Sequence, residues 1–407
     1  MIDFGKKNVL YFIVFVFIYC TDTFIVFANT NTLVKIIFQA LLGVVTIYIA
    51  SKTKKYTLTT FLFFLVSASC VLCTMIIKQD SSNGNFIKII LLAIGMIVAN
   101  GINFESFRKA FSDIISVFCA YSLVVFALSF FINDYGPLPV IKNVSNTRVV
   151  FAGLSNISLS YGVNRNFGPF WEPGVYSIYL SLAALFCLID NQKLTKRVLL
   201  LMVGVITTLS TSGYVMIFLL ILYYLFGNSK KIRDVKKNWM RYVVASALII
   251  SFLSLISYND VLNHILFSKL NKNNFEYTST IARTASIYGN IDIWLKNPFF
   301  GIGPTRLQEY YNQYLFSQGF LENSNTNGLL MVFSMYGTIF GLCVVLGIVK
   351  LALSLDETII GKIVILALFI CMFISEPLTT SCMFNIILFY GLNGDSYNGR
   401  MQRKNCN

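Results

Sequence analysis

Four arginines, Arg148, Arg165, Arg283 and Arg306, stand in two long polar stretches, residues 133–172 and 259–327, that interrupt an otherwise apolar chain. A guanidinium group stays ionised and offers a planar fork of donors that matches phosphate oxygens. Gathered over one cavity at a bilayer surface, four such groups would suit a lipid-borne diphosphate. Each could instead snorkel, resting its stem on apolar surface and its tip on a headgroup or a local carboxylate.

Glu172 belongs to the run Arg165-Asn166-Phe167-Gly168-Pro169-Phe170-Trp171-Glu172-Pro173-Gly174, which leads into a predicted helix from Pro173. Proline suits the first helical turn, where a missing N–H costs nothing. A carboxylate at the positive end of that helix can cap it, or serve as a catalytic or sugar-binding group, and the roles are compatible. Trp171 and Tyr288, with Tyr161, Tyr277, Trp294, Tyr310, Tyr311 and Tyr314, fit either an interfacial belt or stacking on sugar rings.

In the second stretch Ile281, Ala285, Tyr288, Ile291, Trp294 and Leu295 recur at helical spacing, with Arg283 and Asn290 falling elsewhere. This predicts a helix lying on the bilayer. It runs into Lys296-Asn297-Pro298-Phe299-Phe300-Gly301-Ile302-Gly303-Pro304-Thr305-Arg306, where Gly301 and Gly303 either let backbone N–H groups approach an anion or form a tight turn. The one histidine, His264, is a weak candidate base in an apolar run, and the polar stretches hold no Asp-x-Asp or cysteine cluster. No metal and no cofactor is expected. The nine cysteines avoid both stretches and read as small core residues, Cys70-x-x-Cys73 among them.

The elements that must position these residues are membrane helices. A chain of 407 residues that is 56% hydrophobic and 12% charged, with mean hydropathy +0.69, is too apolar for a soluble core. Runs reaching the roughly 20 residues needed to cross a bilayer predict an all-α, polytopic membrane protein of about twelve spans, one integral membrane domain over residues 1–407. The spans fall near 9–28, 33–50, 57–77, 86–101, 113–132, 173–189, 198–211, 213–227, 242–258, 328–352, 358–376 and 380–392. The pair around Leu209-Ser210-Thr211-Ser212-Gly213 is too short for two crossings, and its polar junction must be covered by protein or water. Glu376-Pro377-Leu378-Thr379-Thr380 closes the last two spans, and a plain turn is enough to explain it. Gly337-x-x-x-Gly341 permits close helix packing.

A net charge of +14 would point to nucleic acid in a soluble protein, but 21 of the 32 basic residues fall in loops that alternation assigns to one side. That is the positive-inside pattern, so no nucleic-acid partner is expected. It puts both termini inside and the two polar stretches outside, as periplasmic loops.

In these features the chain resembles the O-antigen ligase/polymerase superfamily, specifically Wzy-type polymerases of O-antigen, capsule and exopolysaccharide. The resemblance rests on RNFGPFWEPG before a helix, on Arg283 followed by Trp294 and NPFFGIGP, and on Ser324-Asn325-Thr326-Asn327-Gly328-Leu329-Leu330 entering a span with Met335-Tyr336-Gly337. TLSTSG is a fourth match. The resemblance implies a GT-C-like, metal-independent glycosyltransferase of the bacterial inner membrane that uses undecaprenyl-diphosphate-linked oligosaccharide as donor and acceptor, among membrane lipids and with a chain-length regulator protein as a partner. On this view Glu172, Arg165 and Arg283 are catalytic, with Glu322 the second candidate base. Arg148, Arg306, Trp171, Tyr288, Asn297, Gly301, Gly303, Glu322, Asn325 and Asn327 bind substrate. Ligases of the superfamily commonly place a histidine just before the span that begins here near Gly328; this chain has Thr326-Asn327 there. A flippase of the same glycan would carry paired charges inside its helices and shorter outer loops.

Overall fold

The computed structural model describes residues 7–20, 32–131, 140–143, 146–158, 164–227, 277–317, 325–378 and 381–393. The expected ninth span, His264 and Glu322 lie outside the described residues. Helices α1 (Lys7–Tyr19), α2 (Thr32–Lys52), α3 (Leu58–Lys78), α4 (Asn83–Gly101) and α5 (Phe104–Leu128) precede strands β1 (Val140–Asn143), β2 (Asn146–Phe151) and β3 (Ser155–Ser158). There follow α6 (Pro173–Asn191), α7 (Lys196–Thr207), α8 (Thr211–Phe226), α9 (Tyr277–Lys296), α10 (Pro304–Ser317), α11 (Gly328–Leu355), α12 (Ile359–Ser375) and α13 (Cys382–Leu392). Helices α2 to α6 and α11 are long and apolar enough to cross a membrane; α1, α8, α12 and α13 are shorter apolar helices. The chain is a polytopic, mainly helical membrane protein, as the apolar runs predict.

The described residues fall into two compact units, one drawn from Met1–Thr57, Ile94–Leu220 and Ser381–Asn407, the other from Leu58–Ala93 and Ile221–Thr380. In the first unit α6 is the central element, every residue from Pro173 to Leu188 being buried. Its ring Tyr179 meets Phe170 at 4.4 Å and Phe384 of α13 at 5.9 Å between centroids, and α5 adds Phe111. One end of this unit holds the charge pairs Arg108–Asp190 at 2.7 Å and Arg197–Asp113, all in or beside loops expected inside. The other end holds the sheet and the residues joined to it.

The small sheet, absent from the sequence reading, is antiparallel in order β1-β2-β3. A turn with positive φ at Ala152 and Gly153 sets Val150 opposite Asn156 and Arg148 opposite Ser158. Helix α7 has 12 residues, about 18 Å at 1.5 Å per residue and well short of a roughly 30 Å hydrocarbon core. The short pair expected at TLSTSG is therefore present, with Leu209 in the left-handed region at the junction.

In the second unit α11 packs on α3, α9 and α12. Its helical course breaks at Gly337 (φ 81°, ψ −177°), and the loop 297–303 fits the break. The Thr338 amide donates to the Pro298 carbonyl (2.7 Å), while the amides of Ile302 and Gly303 donate to the carbonyls of Ser334 (2.9 Å) and Met335 (3.0 Å). Backbone groups freed by the break are thus paired by the loop, as a low-dielectric setting demands. Gly337-x-x-x-Gly341 accordingly serves to break a helix at its first glycine, which the packing reading had not foreseen.

Candidate functional site

In the first unit the RNFGPFWEPG run is held by side-chain amides. Asn156 of β3 donates to the carbonyls of Gly168 (2.7 Å) and Phe170 (2.9 Å), and Asn166 donates to Ser122 (3.2 Å) and Thr207 (3.0 Å) while its carbonyl oxygen accepts from the Gly168 amide (3.0 Å). Gly168 has φ +52°, and a Cβ there would overlap the Tyr176 ring. Only glycine fits such a position. Arg148, 8% exposed, lies over the Phe167 ring at 4.3 Å and donates to Asn156 Oδ1 (3.3 Å). Its observed partners make it a support for this run, on a diagonal of the sheet that long side chains can span.

Arg165, half-buried, donates from Nε to the Thr208 carbonyl (3.0 Å) and from Nη2 to the Leu209 carbonyl (3.1 Å). These carbonyls end α7, where a helix leaves acceptors unpaired and carries partial negative charge. The TLSTSG junction and the RNFG run therefore form one structure. Glu172, half-buried beside half-buried Trp171, occupies the N-cap of α6 with extended backbone and makes no side-chain capping bond. Of the two roles open to it, the simple cap is the one the structure does not use.

In the second unit α9 buries Ala285, Ser286, Gly289, Asn290 and Ile293, while Tyr288 and Leu295 are 61% and 67% exposed. Small and amide side chains meet α10 and α11 together with Ile293 and Trp294, whose ring lies 4.9 Å from Phe333 and donates to Thr338 (2.9 Å). Asn290 and Asn325 exchange amide hydrogen bonds (2.8 and 3.2 Å), Ser286 and Thr326 share one at 3.2 Å, and Ser334 donates to the Asn290 carbonyl at 2.8 Å. Asn327 caps α11, accepting from the Leu330 amide (3.0 Å). Arg283 lies one turn before Ser286, half-buried, and among the described residues its guanidinium makes no hydrogen bond or ion pair. Its charge lies within electrostatic reach of Cys371 on α12.

Gly301 (φ +60°) and Gly303 (φ +80°) form the tight turn that was one of the two readings open to them. The Gly301 amide donates to the Asn297 carbonyl (3.1 Å), and the next two amides are those bound to α11. Asn297 accepts from Lys78 Nζ (2.9 Å) and so ties the loop to α3, and Arg306 is exposed on α10.

Asp80, which the sequence reading passed over, fixes the start of α10. It accepts from the Thr305 hydroxyl (2.8 Å), the Thr305 amide (3.2 Å) and the Ser82 amide (3.1 Å). Burial pushes its carboxyl up, but these bonds outweigh burial and hold it below the usual carboxylate range. A depressed folded-state value contributes stability that is present above the unfolded value and lost as pH falls through the folded one. Wild-type and Asp80→Asn proteins should therefore differ in thermal stability at neutral pH and converge in acid. A constant difference down to pH 2 would show that ionised Asp80 does not lock α10.

Glu376, in the hairpin read as a plain turn, is likewise buried, at 5% exposure. Nothing in its local sequence marked it, since its neighbour Gly328 is 48 positions away in the chain. A Cβ on Gly328 would overlap the Glu376 carbonyl and come within 2.9 Å of the Phe373 carbonyl and 3.0 Å of Pro377 Cα.

Comparison with curated proteins gives no match. The family model described as O-antigen ligase matches residues 198–337, from α7 to the break in α11, so this stretch of the chain is similar to that family.

Proposed function

We propose that the protein is a membrane glycosyltransferase that polymerises undecaprenyl-diphosphate-linked repeat units at the periplasmic face of the bacterial inner membrane. The growing glycan moves from its lipid carrier to a hydroxyl of the incoming lipid-linked unit, and undecaprenyl diphosphate leaves. The observation that carries this reading is Arg283: a half-buried guanidinium with no hydrogen bond or ion pair among the described residues, beside the polar Ser286–Asn290–Asn325–Thr326 cluster. Fixed positive charge where a diphosphate develops negative charge is the main catalytic requirement of such a departure.

In the first unit Arg165 is a separate candidate for phosphate, held by the carbonyls of the α7 end. Arg306, exposed on α10, meets lipid-borne phosphate, while Trp171 and exposed Tyr288 offer faces for sugar rings. Ligation to a finished lipid acceptor is the second reading. Polymerisation is favoured because Thr326 is committed to Ser286 and Asn327 to the cap of α11, where ligases commonly carry a histidine.

The test is to incubate purified protein with one lipid-linked repeat unit and no divalent cation. A ladder of products is expected. Folded protein that yields nothing longer than a single unit rejects polymerisation, and transfer only to a lipid A-core acceptor replaces it with ligation.

A further inference from the structure

We propose that an exposed apolar stripe on α12, Ile363, Ala367, Ile370 and Ile374, seats the polyprenyl chain of the lipid carrier whose diphosphate Arg283 meets, an assignment that rests on the glycosyl-transfer reading above. A polyprenyl diphosphate is an anionic head on a long apolar tail. Its site must therefore set a cation at headgroup depth beside an apolar surface that runs down into the hydrocarbon. In the second unit the two parts stand together.

The four stripe residues recur at the spacing of one helix face. Ile363, Ile370 and Ile374 are 60%, 37% and 40% exposed and Ala367 is half-buried, whereas Val364, Leu368, Phe369 and Met372 are buried on the side that packs on α11. From residue 363 to residue 374 the stripe runs about 17 Å at 1.5 Å per residue, about half of a roughly 30 Å hydrocarbon core and so the depth of one leaflet. Half-buried Cys371 borders its upper part, and the Arg283 charge lies within electrostatic reach of Cys371. A separate chain of contacts brings α9 to the same end of α12. Ser286, one turn beyond Arg283, shares a hydrogen bond with Thr326 (3.2 Å), and two residues further a Cβ on Gly328 would come within 2.9 Å of the Phe373 carbonyl and 3.0 Å of Pro377 Cα.

Helix α9 sets the depth of Arg283. One of its faces packs Gly289 against Tyr311 and Tyr314 of α10, and another carries Ser286 and Asn290 toward α11. The third is exposed and apolar, with Ile287, Tyr288 and Leu295 at 38%, 61% and 67% and Phe299 at 72% just past the helix end. A helix with such a face lies in the bilayer interface, its apolar side at the boundary of headgroups and acyl chains. A turn of 3.6 residues puts Arg283 between Asn290 and Ile287, at the edge of that face. Its guanidinium therefore stands at phosphate level, and Cys371, four residues before the α12 end at Ser375, lies about 6 Å along the helix from that end. Ordinary phospholipid covers any apolar helix face; the arginine at its head sets this one apart. The unit's other described arginine, Arg306, is exposed on α10 beside Gln308 and Glu309, and the exposed Leu342 and Leu346 of α11 lie beyond the break at Gly337, toward the helix end away from Arg283.

Two measurements test the seat. In the first, transfer rates are taken with a repeat unit on undecaprenyl diphosphate and on a short, two-isoprene prenyl diphosphate, for wild type, Ile370→Trp, Ile374→Trp and Leu346→Trp. An indole on the stripe should raise KM for the long-chain substrate about tenfold and leave the short-chain substrate within about twofold, with Leu346→Trp close to wild type on both. In the second, wild-type protein is irradiated with undecaprenyl diphosphate that carries a diazirine in its first isoprene units. The label should concentrate on residues 367–374, a result that decides the question even if the tryptophan variants do not accumulate. Equal losses with both substrates would assign the stripe to the fold, and no loss, or label spread evenly over the apolar helices, would assign it to ordinary bilayer lipid. Each of these overturns the seat while the transfer reading stands. A wild-type protein that elongates neither substrate defeats the transfer reading instead, and the labelling then decides the seat alone.

Discussion

Arg283→Ala is expected to abolish long glycan chains, lowering the transfer rate about a hundred- to a thousandfold, the usual cost of removing one preorganised donor from a developing anion. The effect should fall on catalysis and not on folding. The side chain is half-buried without a hydrogen bond or ion pair among the described residues, and α9 is held to its neighbours by Ser286 and Asn290, neither of which the substitution touches. Arg283→Lys keeps the charge but loses the planar fork, so part of the rate should return. Arg165→Ala is a less clean probe, because it also strips the α7 carbonyls of Thr208 and Leu209 of their donor. Surface glycan resolved by length, together with the purified-protein rate, is the measurement. Single repeat units should still reach the surface lipid. Chains of normal modal length in Arg283→Ala would reject the arginine role.

The second large effect is on folding. Gly337→Ala forces a side chain into φ 81° at the break of α11, where its Cβ would overlap the Phe299 carbonyl; Gly301→Ala meets the Met335 carbonyl at φ 60°. A strained backbone costs about 1–3 kcal/mol, and an overpacked site about as much again. Because both neighbours are backbone, no rotamer change relieves the overlap. Each variant should fail to accumulate in the membrane or melt far below wild type in detergent. Gly43→Ala is the control: it lies in α2 with nothing within 4 Å, and there alanine should stabilise slightly. Wild-type melting of Gly337→Ala would mean that the break is not needed.

Much of this was legible in the chain. Apolar runs of sufficient length announce membrane helices because every buried backbone group in lipid must be paired within its own segment, so α2 to α6 and α11 follow from composition alone. The short α7–α8 pair and its polar junction were readable for the same reason, as was the helix from Pro173. The sheet was not. Its strands have four to six residues, and β3 and residues 148–150 of β2 are buried without a break, so they lack the alternation that marks a half-exposed strand. The helix of α9 was readable from its periodicity, but not that Ala285, Gly289 and Asn290 are the residues that allow its close approach to its neighbours.

By itself, then, the sequence determined the class of protein and the similarity of residues 198–337 to the family described as O-antigen ligase. Only the tertiary structure decided which polar groups are already committed. Arg148 is stacked on Phe167, the amides of residues 301–303 are bonded to carbonyls, and Asp80 is locked to Thr305. It likewise decided which distant residues become neighbours, as Glu376 and Gly328 do. The physical reason is that helix formation in lipid is local and readable from a window of residues. Pairing of polar side chains depends on helix contacts between positions tens to hundreds of residues apart, which no periodicity encodes.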